Sequence, residues 1–268
     1  KTLVMGTHAS ALPKRTLEEE PYDFVCQGEG PITISNLINI IKNNKKDYDK
    51  VPGLWFRDKD KNIIANSKTK MFDNLDLDLP GQDWSFLDMT KYKAHNWHTF
   101  GRLDSRNKYA SLQTSLGCPF KCTFCCINAP FERNTIRFWS AKHIFKQIKM
   151  LVEDYGILNI KIPDEMFVLN PKQVREICDE IISSGYGKDL NFWAYARIDT
   201  LEDNVMLEKM VKAGFRWLGL GIESSNPNVR DGVIKGRFSN YDIEGVVKKV
   251  RDMGFNVGAN YIFGLPED

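Results

Sequence analysis

The chain has 268 residues, 42% of them hydrophobic and 27% charged, and its formal net charge is +2. These values are ordinary for a globular protein with one large domain or two smaller ones. The near balance of charge argues against a nucleic-acid partner, and the lack of a long apolar run argues against a membrane span.

The first 66 residues predict part of an α/β domain. Residues 2–6 and 23–26 are short apolar runs typical of buried strands. Pro31 suits the first turn of a helix, which continues at helical spacing. Residues 53–56 and 63–65 flank a polar turn and predict a hairpin. Because the chain opens on a strand and stops directly after an apolar run, we expect both ends to be cut from a longer protein.

Residues 67–108 predict a connector between two domains. They lack sustained periodicity, and residues 75–80 alternate apolar and acidic side chains before stopping at Pro80. The segment is long for a loop, which is itself typical of a domain junction. We expect an extended segment that lies over a surface.

From residue 109 to residue 268 strands and helices alternate. The predicted strands are 109–114, 157–162, 191–196, 217–222 and 256–263, and the predicted helices are 141–155, 171–184, 203–213 and 241–253. A glycine follows each helix, at Gly156, Gly185, Gly214 and Gly254, where a left-handed residue ends a helix at low cost. This alternation predicts a parallel sheet covered by helices. Five strands favour a partial (β/α) TIM-like barrel or an open sheet, with ligands at the carboxyl ends of the strands.

Four of the six cysteines are Cys118, Cys122, Cys125 and Cys126, on the loop after the first strand of this domain. Clustered cysteines without a secretory leader do not resemble a disulfide framework, so a reducing, cytoplasmic location is expected. Three thiolates could hold three corners of a cubane cluster and leave one iron open, whereas four-cysteine clusters are closed electron carriers. A zinc site, which needs a fourth ligand, and isolated redox thiols remain alternatives.

The spacing Cys118-x3-Cys122-x2-Cys125, with aromatic Phe124 before the last cysteine, resembles the signature of the radical S-adenosylmethionine (SAM) superfamily. Later strand ends resemble further motifs of that superfamily. These are residues 162–167 (IPDEMF) for "DD-x-F", 196–199 (ARID) for "R-x-D", 221–224 for "GIES", and 258–267 for "G-x-I-x-G-x-x-E" with two extra residues.

The N-terminal part resembles the cobalamin-binding domains that are fused to such enzymes. Residues 6–10 (GTHAS) resemble their "GGPHAS" turn, residues 28–30 match "GEGE" up to Pro31, and residues 75–80 resemble "LD-x-LP". The resemblance implies that residues 1–66 are the C-terminal part of a Rossmann-like cobalamin-binding domain. The D-x-H-x-x-G motif of that subfamily is absent, so cobalamin is expected only as a possible cofactor of the full-length protein.

The resemblance implies a site built from two sets of residues. Cys118, Cys122 and Cys125 would bind a 4Fe-4S cluster, which would cleave SAM reductively to a 5′-deoxyadenosyl radical. The residues implied to bind SAM are Phe124, Asp164, Glu165, Arg197, Glu223, Ser224, Ile262, Gly264 and Glu267. Each also has a structural alternative: Arg197, for example, could form an ion pair with Asp199, Asp164 or Glu165.

The implied function is a radical reaction, such as methylation, cyclisation or rearrangement, on a small-molecule or lipid substrate. An external electron donor of the flavodoxin or ferredoxin type is the implied partner. Two alternatives stay open. One is a methylthiotransferase-type radical SAM enzyme, which usually needs cysteines ahead of the signature, where only Cys26 is available. The other is a non-enzyme with structural zinc or an electron-transfer Fe–S cluster.

Overall fold

The computed structural model describes residues 1–95, 107–233 and 241–268. It divides into two compact units, one of residues 1–73 with 117–135 and the other of residues 74–116 with 136–268. This division groups the cysteine loop with the N-terminal residues, whereas the domain limits expected from the sequence, 1–66, 67–108 and 109–268, stay a prediction. Part of the predicted connector, residues 96–106, lies outside the described residues. Within the described ranges, none of the helices has the length and apolar content that a membrane crossing needs.

The first unit holds a four-stranded sheet of order β1-β2-β3-β4. Its strands are β1 (Leu3–Val4), β2 (Phe24–Cys26), β3 (Leu54–Arg57) and β4 (Ile63–Ala65), and its helices are α1 (Thr7–Ala11), α2 (Pro13–Glu19) and α3 (Pro31–Lys42). β1 and β2 run parallel, and β3 and β4 form the predicted antiparallel hairpin. Leu37 of α3 packs against Phe24, Leu54 and Phe56 of the sheet, which confirms the predicted α/β character.

The second unit holds a five-stranded parallel sheet of order β11-β10-β9-β8-β5. Its strands are β5 (Tyr109–Ser111), β8 (Asn159–Ile162), β9 (Asn191–Arg197), β10 (Phe215–Glu223) and β11 (Asn256–Tyr261). The helices between them are α5 (Ala141–Glu153), α6 (Pro171–Ser184), α7 (Asn204–Lys212) and α9 (Ile243–Asp252). All five predicted strands and all four predicted helices are therefore present. In the described part of the chain, β5 and β11 are the edges of an open sheet.

The glycines predicted to end the four helices have the expected backbone geometry. Gly156, Gly185, Gly214 and Gly254 have φ angles of 62°, 80°, 100° and 104°. This left-handed region is open to glycine at little cost, because glycine has no Cβ. Helix α6 therefore ends at its predicted residue and the other three end one or two residues earlier, and the chain turns at the glycine toward the next strand.

The two faces of the five-stranded sheet differ. Side chains at even positions of the inner strands, such as Ile160, Phe192 and Leu218, are fully buried. Because successive side chains of a strand point to opposite faces, the odd positions form the other face. That face carries mostly polar, aromatic and glycine residues, among them Lys161 and Tyr195, which are only half-buried. The apolar core therefore lies on the even-numbered face.

Three local features differ from the sequence expectation. Residues 75–80 are not extended, because α4 (Leu75–Asp78) forms one helical turn. Asn74 caps this turn, and its side chain accepts a hydrogen bond from the Leu77 amide at 3.3 Å. Leu75 is 2% exposed, so burial of this side chain favours the turn. The strands β6 (Ser115–Gly117) and β7 (Ile136–Phe138) form a two-stranded sheet, and α8 (Pro227–Gly232) follows β10.

Candidate functional site

The four cysteines in the loop of the first unit differ in their exposure to solvent. Cys118 is buried, Cys122 is half-buried, and Cys125 and Cys126 are exposed. The Cys125 amide donates to the Cys122 carbonyl at 3.1 Å, so these two residues share one tight turn. Phe124, inside that turn, is 38% exposed. The loop thus presents its last cysteines and one aromatic ring at its surface.

Asn128 holds the base of this loop. Its Oδ1 accepts a hydrogen bond from the Cys118 amide at 3.0 Å, and its Nδ2 donates to the Cys118 carbonyl at 2.7 Å. Nδ2 also donates to Asn134 Oδ1 at 2.9 Å. Both backbone groups of the first cysteine are therefore fixed by one amide side chain. Sequence reasoning missed Asn128, because a single asparagine in a loop carries no periodic or motif signal.

The donor set of the loop fits an iron–sulfur cluster, because cysteine thiolates are the protein ligands that such clusters use. Among the described residues, no group of three or more His, Cys, Asp or Glu side chains is close enough to hold a metal ion. Thiolates repel one another without a cation, and ligand binding to metal is coupled to local ordering. The Cys118, Cys122 and Cys125 thiols would therefore converge as a cluster is bound.

The two remaining cysteines lie in the cores of their units. Cys26 and Cys178 are 0% exposed. Burial raises the pKa of both thiols, and for Cys178 the nearby Asp179 adds to the shift. Both residues are consequently inert as ligands or nucleophiles in the folded chain.

In the second unit, Asp164 follows β8 and is 1% exposed. Its Oδ1 accepts a hydrogen bond from the Thr114 amide at 2.9 Å, while its Oδ2 accepts from Thr114 Oγ1 at 2.7 Å and Ser115 Oγ at 2.5 Å. Burial raises the pKa of this carboxyl, although the hydrogen bonds from Ser115 and Thr114 oppose the shift. The contacts of Asp164 thus tie the segment after β5 to the end of β8.

Glu165, the next residue, is exposed. Partial desolvation raises the pKa of its carboxyl, and the adjacent Asp164 charge adds to the shift. Arg197, at the end of β9, is 3% exposed. Its Nε and Nη2 donate to the two carboxylate oxygens of Asp199 at 2.9 and 2.8 Å. Of the ion pairs considered for Arg197, the structure therefore contains the one with Asp199.

Glu223 ends β10 in a strained backbone conformation. Its φ angle is 67°, in the left-handed region that costs a residue with a side chain about 1–3 kcal/mol. The side chain is 6% exposed, and the strand register shifts between Gly221 and Glu223. The Glu223 carbonyl accepts from the Ile262 amide at 2.8 Å, which joins the ends of β10 and β11. Such strain, at the carboxyl end of a parallel strand, is typical of ligand sites.

Ser224 and Arg230 extend this strand end. Ser224 is 6% exposed, and its Oγ accepts from the Asn226 amide at 3.1 Å. Arg230 of α8 is 3% exposed, and its Nη1 donates to the carbonyls of Ser224 and Ser225 at 2.7 and 2.9 Å. A buried arginine therefore fixes the backbone after Glu223. Sequence reasoning missed it, because α8 is too short to show helical periodicity.

The residues after β11 are largely at the surface. Ile262 packs against the cluster of Val229, Val233 and Leu265. Gly264 has a φ of 83° and an amide that donates to Asp268 Oδ2 at 2.9 Å. Glu267 is exposed. Because the sheet is parallel, Asp164, Arg197, Glu223 and Ile262 all follow carboxyl ends of strands, at the same edge of the sheet.

Known proteins resemble this chain in sequence. Residues 112–268 match the family model described as the Radical SAM superfamily. An uncharacterized methyltransferase of Pyrococcus horikoshii is 27% identical over 265 residues, which cover 98% of this chain and 54% of that protein. The anaerobic magnesium-protoporphyrin IX monomethyl ester cyclase of Cereibacter sphaeroides is 25% identical over 273 residues, which cover 98% of this chain and 41% of the cyclase. The chain thus spans about half the length of the curated relatives it matches.

A solved structure resembles the fold. The cobalamin-dependent S-adenosylmethionine radical enzyme OxsB, with aqua-cobalamin and S-adenosylmethionine bound, has a TM-score of 0.74. The match has 21% sequence identity and covers 97% of this chain and 36% of that chain. At this identity the likeness concerns the fold, and it agrees with the α/β architecture and the parallel sheet described above.

Proposed function

The chain belongs to the radical SAM superfamily, and from this membership we propose that it cleaves S-adenosylmethionine to start a radical reaction on a small-molecule or lipid substrate. The observation that carries the proposal is the loop of three thiols, Cys118, Cys122 and Cys125, whose first residue is held by Asn128 through both backbone groups. When bound and reduced, a 4Fe-4S cluster supplies the electron that cleaves SAM to methionine and a 5′-deoxyadenosyl radical.

The roles of the cysteines differ in this proposal. The backbone of Cys118 is fixed by Asn128, whereas Cys122 and Cys125 share one tight turn in which Cys122 is half-buried and Cys125 is exposed. Phe124, on the same turn, contributes an aromatic face for the adenine of SAM. Cys126 is excluded as a ligand, because adjacent residues rarely point toward one metal.

The strand ends of the second unit are proposed to bind SAM. Glu223 and Ser224 are nearly buried at a strained strand end, where a carboxylate and a hydroxyl suit ribose hydroxyls or the polar end of methionine. Arg197, held by Asp199, is assigned to the methionine carboxylate, since guanidinium matches carboxylate in a fork.

Four other residues predicted for SAM have supporting roles in this proposal. Ile262 supplies an apolar edge, Gly264 allows close approach of the backbone, and Glu165 and Glu267 are exposed carboxylates at the rim. Asp164 fits a positioning role better than direct contact, because both its oxygens already accept hydrogen bonds from Thr114 and Ser115.

Among radical reactions we propose methylation, in which one SAM yields the radical that abstracts hydrogen from the substrate and a second SAM supplies the methyl group and leaves as S-adenosylhomocysteine. One relative is named a methyltransferase and another a cyclase, so the relatives' names span two of the predicted reaction types. A methylthiotransferase-type reaction is less well supported, since Cys26, the only cysteine ahead of the signature, is fully buried. Mass spectrometry of products made with methyl-deuterated SAM tests methylation: a substrate that gains no deuterium in the presence of turnover would exclude it.

Cobalamin is proposed as a cofactor of the full-length protein only. In this chain the turn that resembles cobalamin-binding domains is ordered by Ser10, whose Oγ accepts from the Gly28 amide at 3.1 Å. A flavodoxin- or ferredoxin-type electron donor and a cytoplasmic location complete the proposal. No nucleic-acid partner is expected.

Anaerobic reconstitution of the full-length protein with iron and sulfide, followed by reductant and SAM, tests the function. We expect 5′-deoxyadenosine to form. Its yield should fall at least about a hundredfold in Cys122→Ala, where each factor of ten corresponds to about 1.4 kcal/mol. The matched control, Cys126→Ala, should keep the wild-type yield. A protein that binds about one zinc ion without sulfide, or one that forms no 5′-deoxyadenosine, would contradict the proposal.

A further inference from the structure

The face of the parallel sheet formed by odd-numbered residues carries a cluster built by three strands. Lys161 of β8 pairs in register with Trp193 of β9, and Tyr195 of β9 pairs with Gly219 of β10. Because side chains two residues apart share a face, Trp193 and Tyr195 lie on the same side. These four residues therefore meet on one surface, away from the fully buried even-numbered positions.

The contacts within the cluster orient the lysine. The Lys161 Nζ lies 4.8 Å from the Trp193 ring and 5.2 Å from the Tyr195 ring. The two rings meet edge to face, with centroids 4.2 Å apart. Gly219 makes room for them, since a Cβ there would overlap the indole of Trp193. The ammonium group is consequently held in a defined position over two aromatic faces.

Among the described residues, this face of the sheet is closed at one end and open at the other. Asn191 Nδ2 donates to Asn159 Oδ1 at 3.0 Å, and Asn159 is 3% exposed, which closes the amino-terminal end of the face. Lys161 and Tyr195 are only half-buried. Farther along, Gly258 of β11 has open space where a side chain would stand. The face thus has a closed end, a fixed cation and an open region.

The chemistry of the cluster selects an anion. Aromatic rings orient an ammonium group by their quadrupole but carry no net charge, so the rings of Trp193 and Tyr195 do not neutralise it. A compact ammonium group on an ordered stem is suited to carboxylate or phosphate oxygens.

We propose that Lys161 binds an anionic oxygen group of the substrate, a carboxylate or a phosphate, with Trp193 and Tyr195 holding the ammonium in place. The proposal rests on the proposed function in one respect, which is that the bound molecule is the substrate of the radical reaction. Pre-orientation of the lysine reduces the entropy that is lost when the anion binds.

Anion titrations of the full chain, followed by tryptophan fluorescence at constant ionic strength, test the proposal. Inorganic phosphate and acetate are the probes, and their relative affinities distinguish a phosphate from a carboxylate site. We expect saturable binding of at least one anion, weakened at least about tenfold in Lys161→Met and retained within about threefold in Lys161→Arg. Lys172→Met, which removes an exposed lysine of α6, is the matched control and should bind like wild type.

Two outcomes would overturn the proposal: no saturable anion binding in the wild type, or equal affinity in wild type and Lys161→Met. Lys161→Gln provides a second neutral variant if the methionine variant does not fold. SAM affinity should be unchanged in both variants, and a parallel loss of it would also refute the assignment to substrate. Failure of the proposed function would appear instead as absent 5′-deoxyadenosine, which these titrations do not measure.

Discussion

At the scale of single residues, Asp164 connects the segment after β5 with the segment after β8. Thr114 and Ser115 donate three hydrogen bonds to its carboxylate, and none of the three residues is more than 3% exposed. A buried hydrogen-bond donor that loses its acceptor costs more folding free energy than an exposed donor, because water cannot replace the lost acceptor. Since Ser115 lies three positions before Cys118, Asp164 also fixes the chain just ahead of the cysteine loop.

Removal of this carboxylate should destabilise the fold. We expect Asp164→Ala to lower the free energy of unfolding by about 3 kcal/mol, because buried donors lose their acceptor. Asp179→Ala, which breaks an exposed ion pair with Lys209, should cost less than about 1 kcal/mol. Chemical denaturation of both variants measures the difference, and equal losses would contradict the role assigned to Asp164.

The same residue should give stability a pH dependence. Burial raises the pKa of the Asp164 carboxyl above its ordinary 3.8. The folded protein therefore holds the proton of Asp164 more tightly than the unfolded chain does. The contribution of this proton to the free energy of unfolding is complete below the ordinary pKa and is lost as pH rises through the folded pKa. We expect Asp164→Asn to reduce the fall in unfolding free energy as pH rises above the ordinary carboxyl pKa of 3.8, measured with urea. A slope identical to that of the wild type would refute this expectation.

At the scale of elements, the sequence predicted the helices and strands whose local pattern agrees with their packing in the fold. Helix α6 (Pro171–Ser184) begins at a proline, repeats apolar residues and stops at Gly185, and its predicted bounds are correct. The strands of the large sheet are confirmed because apolar runs bounded by helices leave few alternatives.

Shorter elements could not be predicted in the same way. Helices α1, α4 and α8 have 5, 4 and 6 residues, too few to display a helical period. Their conformation depends on side-chain contacts that a periodic pattern does not show, such as those of the buried Arg230 of α8 with the carbonyls of Ser224 and Ser225. Motif resemblance located Arg197 and Glu223, and Asp199 was among the predicted partners of Arg197, but the strain at Glu223 was not predicted.

The start of the cysteine loop should tolerate only glycine. Gly117 has a φ of 90°, and a Cβ there would overlap the Thr135 carbonyl oxygen. We expect Gly117→Ala to lower the free energy of unfolding by at least about 2 kcal/mol and to reduce the iron bound per chain after reconstitution. The control Gly232→Ala, in open space at the end of α8, should be neutral or slightly stabilising. Wild-type iron content in Gly117→Ala would contradict this account.

At the scale of the whole molecule, the six thiols should report which of them bind the cluster. Before reconstitution, iodoacetamide should modify the exposed Cys125 and Cys126 first, whereas Cys26 and Cys178, buried and with raised pKa, should remain unmodified. After reconstitution, Cys125 should become protected while Cys126 stays reactive. Peptide mass spectrometry measures both patterns, and protection of Cys126 in place of Cys125 would reverse the ligand assignment.

The alternation of side chains across the large sheet also bears on how this protein can change over generations. Substitutions at helix-facing positions such as Ile160 or Phe192 are limited by close packing. On the opposite face, Gly258 has open space where a side chain would stand, whereas a Cβ at Gly219 would overlap Trp193. With the substrate bound on this face, as proposed, substitutions at Gly258 would change which compound is recognised at little cost in packing, so a new specificity would be separated from the present one by few, individually tolerated steps.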